Sequence, residues 1–344
     1  MIVYVVVTEA CNLTCPHCIR GKQRNAAMSS ADFSRVLTQL NAQDNITAII
    51  LTGGEPLVHP CFLSLLHEAV KSFSRRVVVT TNGTLDITSA VKTLNPAIRD
   101  RLAIQISLDG TEHVNDLIRG RGSYRRVINN VMQLNEDGFS PSIATTVSAK
   151  NYEDIVLLSD ELKSLKLLRW SINLAAPMGR CDSESTVSIE RWNLLVDKIK
   201  GLNLGYSVNI KKLYDMSFLD NLADSDLRRA EKLFIDNHLR NCSSGSGKLY
   251  VYPDLNVYAC TCLSECPIGN LKKQSLDELL MSSRFKCVSQ CKLRQDSPCR
   301  KCRYSLLCNG GCPGMSLSIF GEIGYGDIRC PRFRQLAHEE GFLF

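Results

Sequence analysis

The first 210 residues alternate between short β-rich segments and amphipathic helical segments, and this alternation limits the fold more strongly than any other feature. Strands that are separated by helices pair in parallel through right-handed crossovers. Six such units in series predict an α/β fold, a partial (β/α)6 barrel of the TIM type. The predicted strands cover residues 2–7, 46–52, 76–81, 102–108, 142–148 and 168–173, and the predicted helices cover residues 30–43, 60–73, 88–94, 124–137 and 152–166.

Polar motifs follow four of the predicted strands directly. They are Thr8-Glu9, Thr52-Gly53-Gly54-Glu55-Pro56, Thr80-Thr81-Asn82-Gly83 and Ser107-Leu108-Asp109-Gly110. Enzymes with barrels of this kind place their active sites at the C-terminal ends of the strands. The sequence therefore predicts that these four motifs meet at one end of the barrel and form a site.

The composition changes twice after residue 210. Residues 211–241 are charged, and we predict that they form a helical bridge. From Cys242 onward the chain is rich in cysteine, with a predicted hairpin over 249–260 and a predicted helix over 275–283. We therefore predict three units: a barrel over 1–210, a bridge over 211–241 and a cysteine-rich domain over 242–344.

The cysteines are concentrated at the two ends of the chain. Eleven of the sixteen lie between Cys242 and Cys330, and three more lie close together near the N-terminus. The first segment lacks the features of an export signal, so disulfides explain these cysteines poorly. Thiolates bind zinc and iron–sulfur clusters, and the pattern of the cysteines has to distinguish the two.

Hydropathy and charge exclude two classes of partner. No stretch reaches the roughly 18 uninterrupted apolar residues of a membrane helix, and the net charge of +6 is spread along the chain. A nucleic-acid surface would concentrate basic residues together with aromatic ones. We therefore expect a cytoplasmic protein that has neither a membrane nor a nucleic acid as its partner.

Cys11-x3-Cys15-x2-Cys18 supplies three thiolates from one short loop, which leaves one iron of a 4Fe-4S cluster open to a ligand. The spacing, the position after the first strand and the motif Gly53-Gly54-Glu55-Pro56 together resemble the radical S-adenosylmethionine (SAM) superfamily. His17 departs from the pattern, because the family usually has an aromatic residue there. A zinc site that is short of one ligand is the alternative.

The resemblance implies that the open iron binds the amino and carboxylate groups of SAM. Reductive cleavage of SAM then gives a 5′-deoxyadenosyl radical. It implies that the glycine motif holds the SAM ammonium, and that SAM contacts come from the ends of the third and fourth strands. The implied SAM-binding residues are Gly53, Gly54, Glu55, Pro56, Asn82, Ser107, Asp109 and Arg119.

The C-terminal cysteines resemble the SPASM domain, an extension that binds auxiliary iron–sulfur clusters in some radical SAM enzymes. The resemblance implies three 4Fe-4S clusters in total, one that binds SAM and two auxiliary ones. The first auxiliary site would use Cys242, Cys260 and Cys312, with either Cys262 or Cys266 as its fourth ligand or an open iron; the second would use Cys299, Cys302, Cys308 and Cys330. Zinc is again the alternative.

The auxiliary pattern shows departures and leaves some cysteines unassigned. Leu255 stands where a glycine is usual, five residues before Cys260, and no cysteine lies shortly before Cys242. Cys287 and Cys291 fit no position of the pattern, and we expect them to be structural or adventitious rather than ligands.

The resemblance favours a radical SAM enzyme that modifies a ribosomally made peptide by crosslinking, oxidation or epimerisation. Modification of a tetrapyrrole or another small-molecule cofactor is an alternative. Anaerobic sulfatase maturation is a further one, although Thr261 stands where those enzymes carry an aspartate. Because Cys11 is so near the N-terminus, we expect no leader-binding domain ahead of the barrel, and a separate partner protein is the alternative source of one. We also expect an electron donor such as flavodoxin or ferredoxin.

Overall fold

A computed structural model describes residues 1–21, 24–223, 225–229, 232 and 247–341. The described residues form one sheet of ten strands in the order β10-β9-β8-β1-β2-β3-β4-β5-β6-β7. The strands are β1 Ile2–Thr8, β2 Ala48–Gly53, β3 Arg76–Thr81, β4 Leu102–Ser107, β5 Ser142–Val147, β6 Arg169–Leu174, β7 Ser207–Asn209, β8 Lys248–Val251, β9 Asn256–Tyr258 and β10 Gly269–Asn270. Strands β1 to β7 follow one another in chain order and pair in parallel.

The helices connect these strands and cover the sheet. They are α1 Ser30–Asn41, α2 Phe62–Ser72, α3 Thr88–Lys92, α4 Pro96–Arg99, α5 Glu112–Arg119, α6 Ser123–Glu136, α7 Ile155–Leu162, α8 Ile189–Lys200, α9 Leu276–Met281, α10 Ser283–Ser289, α11 Ser305–Cys308, α12 Pro313–Phe320 and α13 Pro331–Glu339. Helix α1 illustrates how the sequence determines where a helix begins and which face it buries. Ser29 caps its N-terminus by accepting a hydrogen bond from the Asp32 amide, and its apolar residues at helical spacing are buried.

The structure confirms the predicted α/β class and its parallel sheet, which is consistent with a partial TIM-type barrel. Each of the six predicted strands lies within two residues of an observed one. Helices α5 and α8 and strand β7 have no counterpart among the predicted elements. Helix α5 was missed because it lies in the motif-rich stretch after β4, whose residues were interpreted only as ligands.

The cysteine-rich segment joins the main sheet. Strand β8 pairs in parallel with β1, and β9 pairs antiparallel with β8, which forms the predicted hairpin. At its turn Leu255 has a φ of 63°, the left-handed conformation that favours glycine. The side chain of Leu255 is fully buried, and its packing holds this backbone conformation in place of the usual glycine.

Residues 224, 230, 231 and 233–241 of the predicted bridge, and Cys242, lie outside the described residues, and the domain boundaries stay predictions. Within the described ranges, no helix is long and apolar enough to cross a membrane.

Candidate active site

The cysteine loop between β1 and α1 brings Cys11, Cys15 and Cys18 together, each partly exposed. Burial raises the pKa of the Cys11 and Cys15 thiols, and the charges of the neighbouring thiols raise it further. The guanidinium of Arg119 acts in the opposite direction on the pKa of Cys15. The three sulfurs are therefore close enough to influence one another, as ligands of one cluster must be.

The glycine motif after β2 fixes the position of the cysteine loop. The Gly54 amide donates to the Thr8 carbonyl at 2.9 Å, and the Glu55 amide donates to the Ala10 carbonyl at 2.8 Å. A Cβ atom on Gly54 would lie 2.7 Å from the Glu9 oxygen and closer still to that of Ala10. The missing side chain therefore lets the motif approach the cysteine loop closely.

Glu55 is fully buried and lies at the junction of β2 and β3. Its carboxylate accepts hydrogen bonds from the Thr81 hydroxyl at 2.7 Å and the Asn82 amide at 2.6 Å. Burial raises the pKa of Glu55 to about 6 despite these bonds. The carboxylate thus holds the loop after β3, while Pro56 begins a short 3-10 turn.

Asn82 connects that loop to the cysteines. Its Nδ2 donates to Asn12 Oδ1 at 2.8 Å and lies 4.0 Å from Cys11 Sγ. Its Oδ1 accepts from the amide and the hydroxyl of Thr84. Asn82 therefore positions the first cysteine, and Asn12 and Thr84, which the sequence analysis did not select, assist it.

Asp109 and Arg119 form a buried ion pair at the end of β4. Arg119 Nε donates to Asp109 Oδ2 at 2.6 Å, and the Thr146 amide donates to Asp109 Oδ1 at 2.8 Å. The side chain of Asp109 is fully buried and that of Arg119 is 8% exposed. Ser107 is partly buried at the last position of β4, where it pairs with Ala144 of β5.

His17 contacts the same carboxylate. Its Nε2 lies 3.2 Å from Asp109 Oδ2, and the ring is 9% exposed. Burial lowers the pKa of His17, and the nearby cations Arg119, Arg180 and Lys150 lower it further against the opposing effect of Asp109. The sequence analysis noted His17 only as a departure from the family pattern.

Three thiols of the predicted first auxiliary set lie together, with Cys262 in contact with Cys260 and with Cys312. Hydrogen bonding with Cys262 lowers the pKa of Cys260 to about 5 and that of Cys312 to about 7, while the pKa of Cys262 is raised. Gly314 packs against Cys262, because a Cβ there would lie 3.0 Å from the Cys262 carbonyl carbon. Of the two alternatives left open by the sequence, Cys262 is the thiol that contacts both Cys260 and Cys312.

The second predicted auxiliary set also converges. Burial raises the pKa of Cys299 to about 12, and Cys308, Cys330 and Cys302 add to the shift, in that order.

The two unassigned cysteines differ in exposure. Cys287 is exposed and Cys291 is buried, with its thiol 3.8 Å from the Lys292 carbonyl. The described residues include no group of three His, Cys, Asp or Glu side chains that could hold a single metal ion.

A cavity of about 450 Å³ lies between the cysteine loop and the segment that contains Cys262. Cys11, Cys18 and Gly54 line one part of it, and Thr261 and Cys262 line another. Its volume lies within the range of small-molecule and peptide-residue pockets. A ligand in this cavity would touch both the cysteine loop and the first auxiliary site.

Comparison with protein families agrees with this geometry. The radical SAM superfamily matches residues 5–162, and an iron–sulfur cluster-binding domain of the SPASM type matches residues 242–303. The chain belongs to the radical SAM enzymes that carry a SPASM domain. Iron–sulfur clusters and SAM are therefore its cofactors, and the thiol groups described above suit the clusters.

Particular relatives differ in what their names describe. The AdoMet-dependent heme synthase of Methanosarcina barkeri is 24% identical over 330 residues, 92% of each chain. The sporulation killing factor maturation protein SkfB of Bacillus subtilis is 25% identical over 309 residues, 86% of this chain and 71% of SkfB. The structure of Streptococcus suis SuiB bound to precursor peptide SuiA has a TM-score of 0.77 at 16% identity, covering 96% of this chain and 75% of SuiB.

Proposed function

We propose that this enzyme modifies a peptide, and that the peptide residue to be modified enters the cavity between the cysteine loop and the first auxiliary site. The observation that carries the proposal is the cavity itself, since Cys18 and Cys262 line the same space. Peptide maturation in the names of SkfB and SuiB supports it. We further propose three clusters, with Cys11, Cys15 and Cys18 holding the one that binds SAM.

The cluster and SAM supply the chemistry of hydrogen-atom abstraction when they are bound. The chain's own residues position the groups around them. Glu55 and Asn82 hold the end of β3 against the cysteine loop through the contacts described above. Arg119 lies beside Cys15 with its charge balanced by Asp109, so its remaining N–H groups can bind a carboxylate such as that of SAM.

The cavity wall suits a peptide because it is chemically mixed. Arg20 and Glu9 line it from the side of the cysteine loop, and Asp254 and Glu265 line it from the C-terminal segment. Arg20 also donates to the Tyr252 hydroxyl at 3.1 Å, which links the two sides of the cavity. Charged groups of both signs, together with the aromatic ring of Tyr252, can hold a peptide through its amides and side chains.

Modification of a tetrapyrrole is the second candidate, and one observation favours it. The heme synthase of M. barkeri matches nearly the whole chain, whereas the peptide maturases match less of it or at lower identity.

The peptide proposal also includes two partners. They are a separate leader-binding protein and an electron donor such as flavodoxin or ferredoxin.

The test uses the reconstituted enzyme with SAM and a reductant. One set of reactions contains peptides encoded by short reading frames beside its gene, and a parallel set contains an iron coproporphyrin. The proposal expects 5′-deoxyadenosine together with a peptide that has lost two hydrogen atoms or has taken up solvent deuterium, measured by mass spectrometry. Turnover of the tetrapyrrole with unchanged peptides would refute it.

Cys15→Ala is the matched control for these reactions. It removes one thiolate of the SAM site and leaves every proposed auxiliary ligand in place. We expect the Cys15→Ala variant to form no 5′-deoxyadenosine while it keeps the iron of the other clusters. Product formation by this variant at the parental rate would show that the cluster assignment is wrong.

A further inference from the structure

The C-terminal segment contains a buried ion pair between Asp327 and Arg329. Asp327 Oδ1 accepts hydrogen bonds from the Arg329 amide at 2.9 Å and from Arg329 Nε at 3.0 Å, and Asp327 Oδ2 accepts one from Arg329 Nη2 at 2.7 Å. The side chain of Asp327 is fully buried and that of Arg329 is 18% exposed. Taking two charges out of water costs about as much as their attraction returns, so stability alone does not explain the pair.

The barrel supplies a third member of this group. The Tyr214 hydroxyl donates a hydrogen bond to Asp327 Oδ2. Tyr214 follows β7 and has a φ of 54°, which is uncommon for a residue other than glycine. Asn193 of α8 holds the preceding residue, Leu213, by accepting from its amide at 2.9 Å and donating to its carbonyl at 3.1 Å. Such a backbone conformation persists only where the surroundings fix it, so the barrel places the hydroxyl on Asp327.

The ion pair lies beside the first predicted auxiliary set. Gly311 is the neighbour of Cys312, and a Cβ atom on Gly311 would lie 2.9 Å from the Tyr214 hydroxyl oxygen and 3.0 Å from Asp327 Cβ. These distances leave no room for a side chain at Gly311. The loop that carries Cys312 therefore packs directly against Tyr214 and Asp327.

The same segment contacts the second predicted auxiliary set. The Cys330 amide donates to the Asp327 carbonyl at 2.9 Å. A Cβ atom on Gly326, the residue before Asp327, would lie 3.0 Å from Cys299 Sγ. Two cysteines from separate parts of the second set thus meet the chain at Asp327, and the ion pair lies between the two proposed auxiliary sites.

We propose that the Asp327–Arg329 pair, fixed by Tyr214, is an electrostatic element shared by the two auxiliary clusters and that it sets the reduction potentials of both. The inference rests on the two auxiliary clusters of the proposed function. Charge, hydrogen bonds and solvent exposure around an iron–sulfur cluster determine its potential, and a charge acts strongly where water is excluded. An element that adjoins both sites shifts the two potentials in the same direction.

The experiment measures the potential of each cluster in the reconstituted full chain by a redox titration followed by electron paramagnetic resonance. Arg329→Gln removes the positive charge, and it should make one-electron reduction of both auxiliary clusters roughly 10-fold less favourable, a fall of about 59 mV in potential. Asp327→Asn removes the negative charge and should raise both potentials by a similar amount. A disturbance of packing alone would not reverse its sign between these two variants.

Tyr214→Phe tests the contribution of the barrel. It keeps the ring and removes the donor to Asp327, so both auxiliary potentials should fall by less than in Arg329→Gln. Because it leaves the ion pair in place, Tyr214→Phe tests the same sign of shift even where Arg329→Gln fails to fold.

Arg334→Gln is the matched control. Arg334 also lies close to Cys330 along the chain, but its side chain is 51% exposed and its partner Glu190, at 3.3 Å, is 56% exposed. Solvent and salt therefore screen its charge, and the variant should keep the parental potentials. The SAM cluster is the internal reference in every variant, because the contacts of the ion pair described above lie in the C-terminal segment and at Tyr214.

Three results would overturn the inference. They are parental auxiliary potentials in Arg329→Gln and Asp327→Asn, shifts of the same sign in these two variants, and a shift that is confined to one auxiliary cluster. An equal shift in Arg334→Gln would overturn it as well, since any nearby charge would then have the same effect.

Iron counting on the parental enzyme separates this inference from the proposed function. Fewer than about twelve iron atoms per chain would refute the proposed set of three clusters, and this inference with it. A full iron content with unmoved auxiliary potentials would overturn the inference alone. The titration uses no substrate, so its result is independent of whether the enzyme modifies a peptide or a tetrapyrrole.

Discussion

Replacing Gly54 with alanine should separate the glycine motif from the cysteine loop. The added Cβ would lie 2.7 Å from both the Glu9 oxygen and the Ala10 carbonyl carbon. Both atoms belong to the backbone, so no side-chain rotation can relieve the overlap. The two segments would have to move apart by about 1 Å to restore an ordinary contact.

That movement would break the hydrogen bonds that join the segments. The Gly54–Thr8 and Glu55–Ala10 bonds of 2.9 and 2.8 Å would lengthen beyond hydrogen-bonding distance. Two lost bonds at about 1 kcal/mol each, with about 1–3 kcal/mol for overpacking, give an expected destabilisation of about 3–5 kcal/mol. Because the loop carries the cysteines of the proposed SAM site, the cluster proposed there should be lost first.

The assay compares iron content, the spectrum of the reduced SAM cluster and SAM affinity in parental and variant enzymes. Gly205→Ala is the control, because a Cβ at Gly205 meets no atom within 4 Å and the residue does not have a positive φ. If Gly54→Ala retains parental iron content and SAM affinity, the inferred role of this close approach is wrong.

Three further predictions concern the remaining site residues. Cys262→Ser should lower the iron content by about four atoms per chain while Cys266→Ser leaves it unchanged; the reverse result would identify Cys266 as the ligand. Asp109→Ala should lower the free energy of unfolding by about 3–5 kcal/mol in urea, because it leaves the buried Arg119 charge unpaired, and a loss below about 1 kcal/mol would contradict this. Since burial raises the pKa of Glu55 from 4.5 to about 6, the native state binds a proton more tightly than the unfolded state does. The free energy of unfolding should therefore fall by about 2 kcal/mol as the pH rises through this interval, and Glu55→Gln should abolish that part of the pH dependence.

The sequence predicted the barrel strands well because each is a short apolar run bounded by a polar motif. It also identified the cysteines near the N-terminus, since their spacing is local. It could not show that Glu55 and Asn82 bind each other's segments, because that contact depends on the pairing of β2 with β3. The same limit hid the pairing of β8 with β1.

The choice between Cys262 and Cys266 illustrates the point at the auxiliary site. They lie two and six residues after Cys260, and neither spacing by itself identifies the ligand. Only the fold shows that Cys312, which comes from the start of helix α12, packs against Cys262. His17 was likewise recognisable as unusual from its position, but its contact with Asp109 at a distant strand end depends on the fold.

The pairing of β8 with β1 has a consequence for how this protein can be divided. Residues Ile2 to Val5 pair with β2 on one side and with residues Lys248 to Val251 on the other. A chain cut ahead of β8 would leave a long apolar edge with unpaired amide and carbonyl groups, the kind of edge that recruits strands from other molecules. The cysteine-rich segment therefore also protects the barrel from aggregation, and shortened forms should be prone to it.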